Sequence, residues 1–378
     1  MKIKEFEYHD KARGWKLERT KFSDLTLLVG ISGVGKTEIL RAIETVKAIA
    51  EGGSFEGVEW DIVFSANDGN EYRWTGEFEK YRDDSAYSAV YRIEKKGVPI
   101  IYEKLYRNES IIIERNDKKI LFKEKETPKL LSKVSTINIL KEEEDISPVY
   151  KNIMMIYVHN KEIMRTIAFN HHRLLLIEEN EHIKLEEIIN YEIPIIVKLF
   201  LVSKYFKERY KDIKEHFIDL FPNIEYIGVE QGITILPKDS TFIRKLSFQI
   251  KEIGVDDWIP VDRVSMGMLK TLYLICEMYL QPEGTVNLID EFENSLGINC
   301  ISILGESLSS ERKMQYIITS HHPYVINNVG SQHWKVVTRK GGFVTTHDAK
   351  DILDIKSRHK AFMQLMNLPE YKDGILKA

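Results

Sequence analysis

The sequence predicts an α/β protein built on a glycine-rich phosphate loop, with an antiparallel β subdomain and a helical insertion. Three observations carry this. Gly30-Ile31-Ser32-Gly33-Val34-Gly35-Lys36-Thr37 fits G-x-x-x-x-G-K-[ST] at every fixed position. Residues 57–123 alternate with period two and carry turn residues between the runs. Thr285-Val286-Asn287-Leu288-Ile289-Asp290-Glu291 is an apolar strand that ends in two carboxylates.

In chain order, residues 1–29 read as two or three strands leading into the loop. Met1-Lys2-Ile3-Lys4-Glu5-Phe6 alternates and is charged, so it reads as a strand and not as a leader. Residues 11–21 are locally basic and read as a solvated hairpin, with contact to a nucleotide base or phosphate as the alternative. Leu25-Thr26-Leu27-Leu28-Val29 is a buried strand, and Glu38-Ile39-Leu40-Arg41-Ala42-Ile43-Glu44 opens an amphipathic helix. A strand, a glycine turn and a helix N-terminus form a phosphate cradle: backbone N–H groups point inward and the helix dipole adds positive charge. Lys36 is placed to reach the β- and γ-phosphates, and the Thr37 hydroxyl to ligate Mg²⁺. Gly52-Gly53 stops the helix.

The period-two region reads as strands over 58–64, 71–78, 87–94, 100–106, 110–114 and 119–122. Its Tyr, Trp and Phe residues are expected to fill one face of the sheet; stacking on bases is the alternative. Residues 128–220 look mainly helical, and 183–221 form a long charged helical pattern, a helical lobe or a stub arm. Strand-like runs follow at 224–229, 232–236 and 245–253. The expected division is an N-terminal lobe (1–127), a helical insertion (128–222) and a C-terminal lobe (223–378).

A chain of 378 residues accommodates one large domain or two ordinary ones. Its net charge of −4 gives no global support for nucleic-acid or membrane binding. Cys276 and Cys300 are the only cysteines, and both sit in apolar or helical surroundings, as in a reducing cytosol. The longest apolar stretch, 193–202, is interrupted by Pro194 and Lys198, so no membrane span is expected. A cytoplasmic protein is the expectation.

Asp290 stands where a strand-end carboxylate holds the Mg²⁺ shell, and Glu291 where a second one polarises water. Upstream, Ser265-Met266-Gly267 opens an apolar helix. Ser265 occupies an N-cap position, and the same geometry lets a serine hydroxyl and free N–H groups bind a γ-phosphate offered by another subunit. Downstream, Gln315-Tyr316-Ile317-Ile318-Thr319-Ser320-His321-His322-Pro323 is a buried strand ending in polar residues.

The order of phosphate loop, serine-glycine helix, Asp-Glu and histidine resembles the ABC-type ATPases, and most closely their SMC/RecF/OLD-like branch, the prokaryotic "AAA family ATP-binding proteins" of defence-system type. The resemblance rests on residues 30–37, Ser265-Met266-Gly267, Leu288-Ile289-Asp290-Glu291 with Asn294-Ser295-Leu296, and Thr319-Ser320-His321-His322-Pro323. It implies a P-loop NTPase fold of ABC type using ATP and Mg²⁺. Gly30, Ser32, Gly33, Val34, Gly35, Lys36, Thr37 and Glu38 would contact the nucleotide, and Thr37 and Asp290 the metal. A second copy would supply Ser265 and Gly267, so that a homodimer closes on two ATP molecules. Glu291, His321 and Lys36 would be catalytic, with His321 sensing the γ-phosphate and 294–296 at the dimer seam.

Three departures stand against the pattern. The signature reads Ser265-Met266-Gly267-Met268 and not LSGGQ. Leu296-Gly297-Ile298 stands where relatives often carry Leu-His-Pro. No glutamine precedes Gln231, so the lobe-coupling glutamine has no match, and Asn138 is the substitute considered.

Other classes fit less well. Asn160-Lys161-Glu162-Ile163 lacks the aspartate of a GTPase base-reading motif, and about 250 residues separate Lys36 from Asp290, far more than in an AAA+ motor. The spacing of Asp348, Asp351 and Asp354 reads as a solvated helix face, and His171-His172 as a polar surface pair. The leading expectation is an ATPase that gates a separately encoded effector, a nuclease in an anti-phage setting. The alternative is a RecF- or SMC-like ATPase that binds DNA.

Overall fold

The computed structural model describes residues 1–81, 97–128, 130–159, 166–179, 182–235, 242–293, 314–352, 364–367 and 375–376. The chain divides into two compact units: Met1–His159, Glu283–Phe292 and Glu311–Ala378 form the first, and Asn160–Pro282 with Glu293–Ser310 the second.

The first unit opens with antiparallel β1 (Lys2–Asp10) and β2 (Trp15–Lys21). In β3 (Leu25–Val29) all five residues are buried, as expected of a strand covered on both faces. Helix α1 (Lys36–Ala50) turns Ile39, Leu40, Ile43, Val46 and Ile49 into the core. It ends at Gly52, whose left-handed φ of 99° lets its N–H reach the Ile49 carbonyl. An antiparallel meander follows: β4 (Val58–Ser65), β5 (Glu71–Phe78), β6 (Ile100–Arg107), β7 (Ser110–Arg115), β8 (Ile120–Phe122) and β9 (Lys125–Glu126).

Most of the large rings of this meander fill one face, as the period-two pattern predicts, while Tyr102 and Tyr106 stand half-buried on the other. Trp60, Phe64, Tyr72, Trp74 and Phe78 are buried, with Trp60 edge-on to Trp74 at 5.2 Å. A Cβ at Gly76 would lie 2.5 Å from the Trp60 ring, so glycine alone fits there. The base-stacking alternative fails for these rings because nothing outside the core can reach them. The other face is charged: Asp61 accepts from Arg19 at 2.5 Å and from Arg73 at 2.6 Å. The run at 87–94 lies outside the described residues.

Helices α2 (Thr136–Ile139) and α3 (Ser147–Met154) precede β10 (Ile156–Val158). The chain then enters the second unit through β11 (Thr166–Asn170), α4 (His171–Glu178), α5 (Leu185–Asn190), α6 (Ile195–Tyr205) and α7 (Lys207–Leu220). The pattern over 183–221 is thus three helices and not one arm. Pro194 sets the start of α6, and the backbone breaks at Phe206 (φ −126°, ψ 71°). Helix α6 is buried from Ile195 to Val202. Its Lys198 donates to the carbonyls of Ile189 (2.5 Å) and Leu280 (3.2 Å), tying two helix C-termini where a cation is favoured. The two runs near 224–236 join as β12 (Ile224–Ile235), which pairs with β13 (Phe242–Glu252), and β14 (Ile259–Pro260) pairs with β13. Helix α8 (Met266–Leu280) packs against α6 and α7.

The chain returns to the first unit as β15 (Val286–Ile289), β16 (Gln315–Thr319), α9 (Pro323–Asn328), β17 (Trp334–Lys340), β18 (Phe343–Asp348), α10 (Ala349–Ile352) and β19 (Ile375–Leu376). One sheet runs in the order β10-β15-β16-β3-β17-β18-β2-β1-β4-β5-β6-β7-β8-β9. Strands β10, β15, β16, β3 and β17 are parallel in succession, so their carboxyl ends share one edge, where open α/β sheets bind ligands.

The contacts draw the insertion differently from the expected 128–222. Residues 128–159 lie with the first unit because β10 extends its sheet beside β15. Residues 223–282, with Ser265, lie in the second unit because β12 and β13 pair with each other and β13 with β11. Cys276 is fully buried, and burial pushes its thiol pKa up; Cys300 lies outside the described residues. Asp348 accepts from Lys335 at 2.8 Å, Asp351 lies on α10, and Asp354 is outside the described residues. Among the described residues no helix is long and apolar enough to cross a membrane.

Candidate functional site

The phosphate loop leaves the carboxyl end of β3 and enters α1. It is built from backbone that only glycine adopts easily: φ is 154° at Gly30, 86° at Gly33 and 104° at Gly35. A Cβ on Gly30 would lie 2.7 Å from the Val337 carbonyl oxygen, so β17 closes against the loop. The Lys36 ammonium donates to the carbonyls of Gly30 (2.7 Å) and Ile31 (2.9 Å), which folds the side chain back over the loop. Glu38 gives its carboxylate to Arg13 (3.0 Å) and Arg41 (2.7 Å). What it offers a nucleotide is therefore its first-turn backbone N–H. Arg13 comes from the basic hairpin of 11–21.

Asp290 follows the last residue of β15. Its carboxylate accepts from the Thr37 hydroxyl at 2.9 and 3.1 Å. The structure thus joins the two predicted metal residues directly. A hydroxyl and a carboxylate side by side are hard oxygen donors suited to Mg²⁺, which is held by few protein ligands plus phosphate and water. Among the described residues no cluster of three His, Cys, Asp or Glu forms a metal cage, and Mg²⁺ of this kind requires none.

Thr319, the last residue of β16, meets both acidic residues. Its hydroxyl donates to Asp290 Oδ1 at 2.7 Å and accepts the Glu291 N–H at 2.7 Å. Its carbonyl accepts the Phe292 N–H at 2.9 Å. Glu291 has φ 48°, an uncommon left-handed conformation for a residue with a side chain. The bend therefore turns the Glu291 side chain out of the strand direction, and Thr319 holds it there. Sequence reasoning named the 319–323 motif for its histidine and missed this hydroxyl. A polar residue closing an otherwise apolar strand was the available signal.

His321 lies two residues past the end of β16 and is exposed. Its neighbour His322 caps α9, accepting the Tyr324 N–H on Nδ1 at 3.2 Å. At the fourth parallel strand end stands His159, whose Nε2 is 3.1 Å from Asn287 Oδ1 and whose N–H reaches the Leu288 carbonyl at 2.9 Å. No motif marked it.

In the second unit Ser265 is the N-cap of α8, accepting the Met268 N–H at 3.2 Å. Ser265 and Met266 are exposed, and the Gly267 carbonyl accepts the Thr271 hydroxyl at 2.8 Å. Asn294-Ser295-Leu296 lies outside the described residues. Asn138 is a correction: its amide donates to the Ala50 carbonyl at 2.9 Å, beside the Ser135 hydroxyl on Ile49 at 3.0 Å. It caps the far end of α1, roughly 20 Å of helix from the phosphate loop, and so does not couple to the nucleotide.

The family described as "AAA domain, putative AbiEii toxin, Type IV TA system" matches residues 25–327. The chain belongs to this family. The match covers the AAA domain from β3 through α9, with the phosphate loop, Ser265, the Asp290-Glu291 pair and His321 inside it. Among solved structures, the Smc head bound to the C-terminal winged-helix domain of ScpA is 15% identical, covering 95% of this chain and 100% of that one with a TM-score of 0.50. A Smc head with an extended coiled coil, bound to a ScpA domain from Pyrococcus furiosus, is 16% identical over 97% and 98% at 0.49. The recombination mediator RecF is 13% identical over 91% and 98% at 0.41. The first of these gives the fold, which is that of the Smc head. ATPases with AAA domains generally use ATP with Mg²⁺. No curated protein sequence matches the chain significantly.

Proposed function

We propose that this chain binds and hydrolyses ATP, dimerises around it, and through that dimer controls a separately encoded effector. The observation that carries the reading is the hydrogen-bonded chain from the Thr37 hydroxyl through the Asp290 carboxylate and the Thr319 hydroxyl to the backbone N–H of Glu291, which joins the phosphate loop to both acidic residues at one sheet edge. Mg²⁺ held by Thr37 and Asp290 would neutralise phosphate charge and lower the barrier to attack. Lys36 moves from the loop carbonyls to the β- and γ-phosphates, which the N–H groups of the loop and of the first turn of α1 also meet. Glu291 accepts a proton from water as its oxygen attacks the γ-phosphorus, giving ADP and phosphate. His321 contacts the departing γ-phosphate. Ser265 and Gly267 of a second copy complete the site, because an exposed serine N-cap presents a hydroxyl and first-turn N–H groups to an anion.

The family description names a toxin–antitoxin setting, and this supports control of a partner over an isolated metabolic role. A nuclease in phage defence is the effector we favour. The charged face of the sheet, with Asp61 balancing Arg19 and Arg73, gives a DNA clamp less support. Glu291→Gln is expected to bind ATP and accumulate as a dimer in size-exclusion chromatography with light scattering. A variant that stays monomeric at saturating ATP refutes the composite site. Tight, ATP-dependent and steeply salt-dependent binding of duplex DNA would instead favour the RecF- or SMC-like role.

A further inference from the structure

Strand β17 runs parallel to β3 with Val336 opposite Val29. Its continuation passes alongside the phosphate loop and carries Arg339 level with Gly33. The Arg339 Nε donates to the Gly341 carbonyl at 2.6 Å, which fixes the arm. One terminal nitrogen lies 3.4 Å from the Gly33 carbonyl, at the weak end of the hydrogen-bond range. A guanidinium carries five N–H donors, and these two contacts use only two of them.

Its charge balance is the telling feature. Every other arginine of the first unit whose side chain is described, from Arg13 to Arg115, lies within 4.0 Å of a carboxylate. In the second unit Arg209 and Arg244 do as well. Among the described residues, only Arg339 and Arg263 do not. The β17–β18 turn is already closed by the Lys340–Phe343 pair, so the turn does not need the guanidinium. A partly buried cation without a carboxylate, held at the carboxyl edge of a parallel sheet beside a phosphate loop, is matched to a polyphosphate.

We propose that Arg339 is a second phosphate-binding cation beside Lys36, contacting the phosphate chain of a nucleotide in the same protomer's loop. This rests on the nucleotide reading above. No motif marks Arg339, which lies on β17, beyond the histidine strand β16 and α9.

The test is titration of the full chain with fluorescent ATP and ADP analogues, alongside thermal melting of the nucleotide-free protein. Arg339→Ala is expected to raise Kd for both nucleotides about tenfold, the usual weight of a charge-assisted bond. Its nucleotide-free melting temperature should stay within ~2 °C of wild type. Arg339→Lys should recover part of the affinity. Arg263→Ala, which removes the other arginine without a carboxylate, should leave Kd unchanged. Wild-type affinity in Arg339→Ala overturns the proposal. So does an equal loss in both alanine variants, which would mark a general charge effect, or an affinity loss that merely follows a drop in melting temperature. If the folded wild type binds neither analogue while melting cooperatively, the nucleotide reading itself is what fails.

Discussion

Replacing Thr319 by valine keeps nearly the same shape and removes one hydroxyl, and that hydroxyl holds the Asp290 carboxylate and the Glu291 N–H. Thr319 is 1% exposed, so water cannot easily substitute. Two bonds of 2.7 Å are lost. Asp290 keeps the Thr37 hydroxyl and is weakened little. The Glu291 N–H is left without its acceptor, at a cost of about 1–3 kcal/mol. Glu291 also sits at φ 48°, a conformation about 1–2 kcal/mol above the right-handed alternative. Without the pin, the backbone at Glu291 relaxes and carries its carboxylate away from the attacking water. If roughly 2–3 kcal/mol of this positioning is lost, kcat falls by about 30- to 160-fold. Kd for ATP should stay within about threefold, since the loop and Lys36 are untouched. The assay is steady-state phosphate release with a parallel fluorescence titration. Thr319→Ser, which keeps the hydroxyl, serves as the control and should retain most activity. A folded Thr319→Val that turns over within twofold of wild type would refute the pinning argument.

Asn138→Ala should lower stability by about 1 kcal/mol in a denaturant titration by releasing the Ala50 carbonyl, with ATP affinity unchanged. A changed affinity would restore Asn138 to the site. Gly76→Ala places a Cβ 2.5 Å from the Trp60 ring and should cost about 1–3 kcal/mol by overpacking, measured the same way. A neutral result would mean that the two strands can shift apart.

The local parts of the fold are legible because their physics is local. The phosphate loop needs glycine at fixed places, β3 needs five buried residues in a row, and the meander needs alternation with Trp60 and Trp74 on one side. All three are read from spacing alone. The helical region misleads because β10 is three residues long, and its reason to be a strand is the neighbour it pairs with, β15. No window around Ile156-Tyr157-Val158 contains that neighbour. The break at Pro194 is written in the sequence, but no proline or glycine marks the break at Phe206, and the two helices it separates both pack on α8, some 60 residues further on.

The site shows the same division more sharply. Motifs name residues that must be of one type: Lys36 for its charge, Thr37 and Asp290 for oxygen, Glu291 for its carboxylate. They do not name the residues that hold these in place, because that role depends on which strands are neighbours. Strand β16 pairs with β15, and this adjacency lets Thr319 face both Asp290 and the Glu291 backbone. Were another strand to lie between β15 and β16, the same threonine would sit a strand away and have nothing to hold. Asn138 is the converse case. Its residue type suited a coupling role, yet the path of the chain puts it at the capped end of α1. Residue type therefore identifies what chemistry is present at this site, and sheet order decides which side chains aim it.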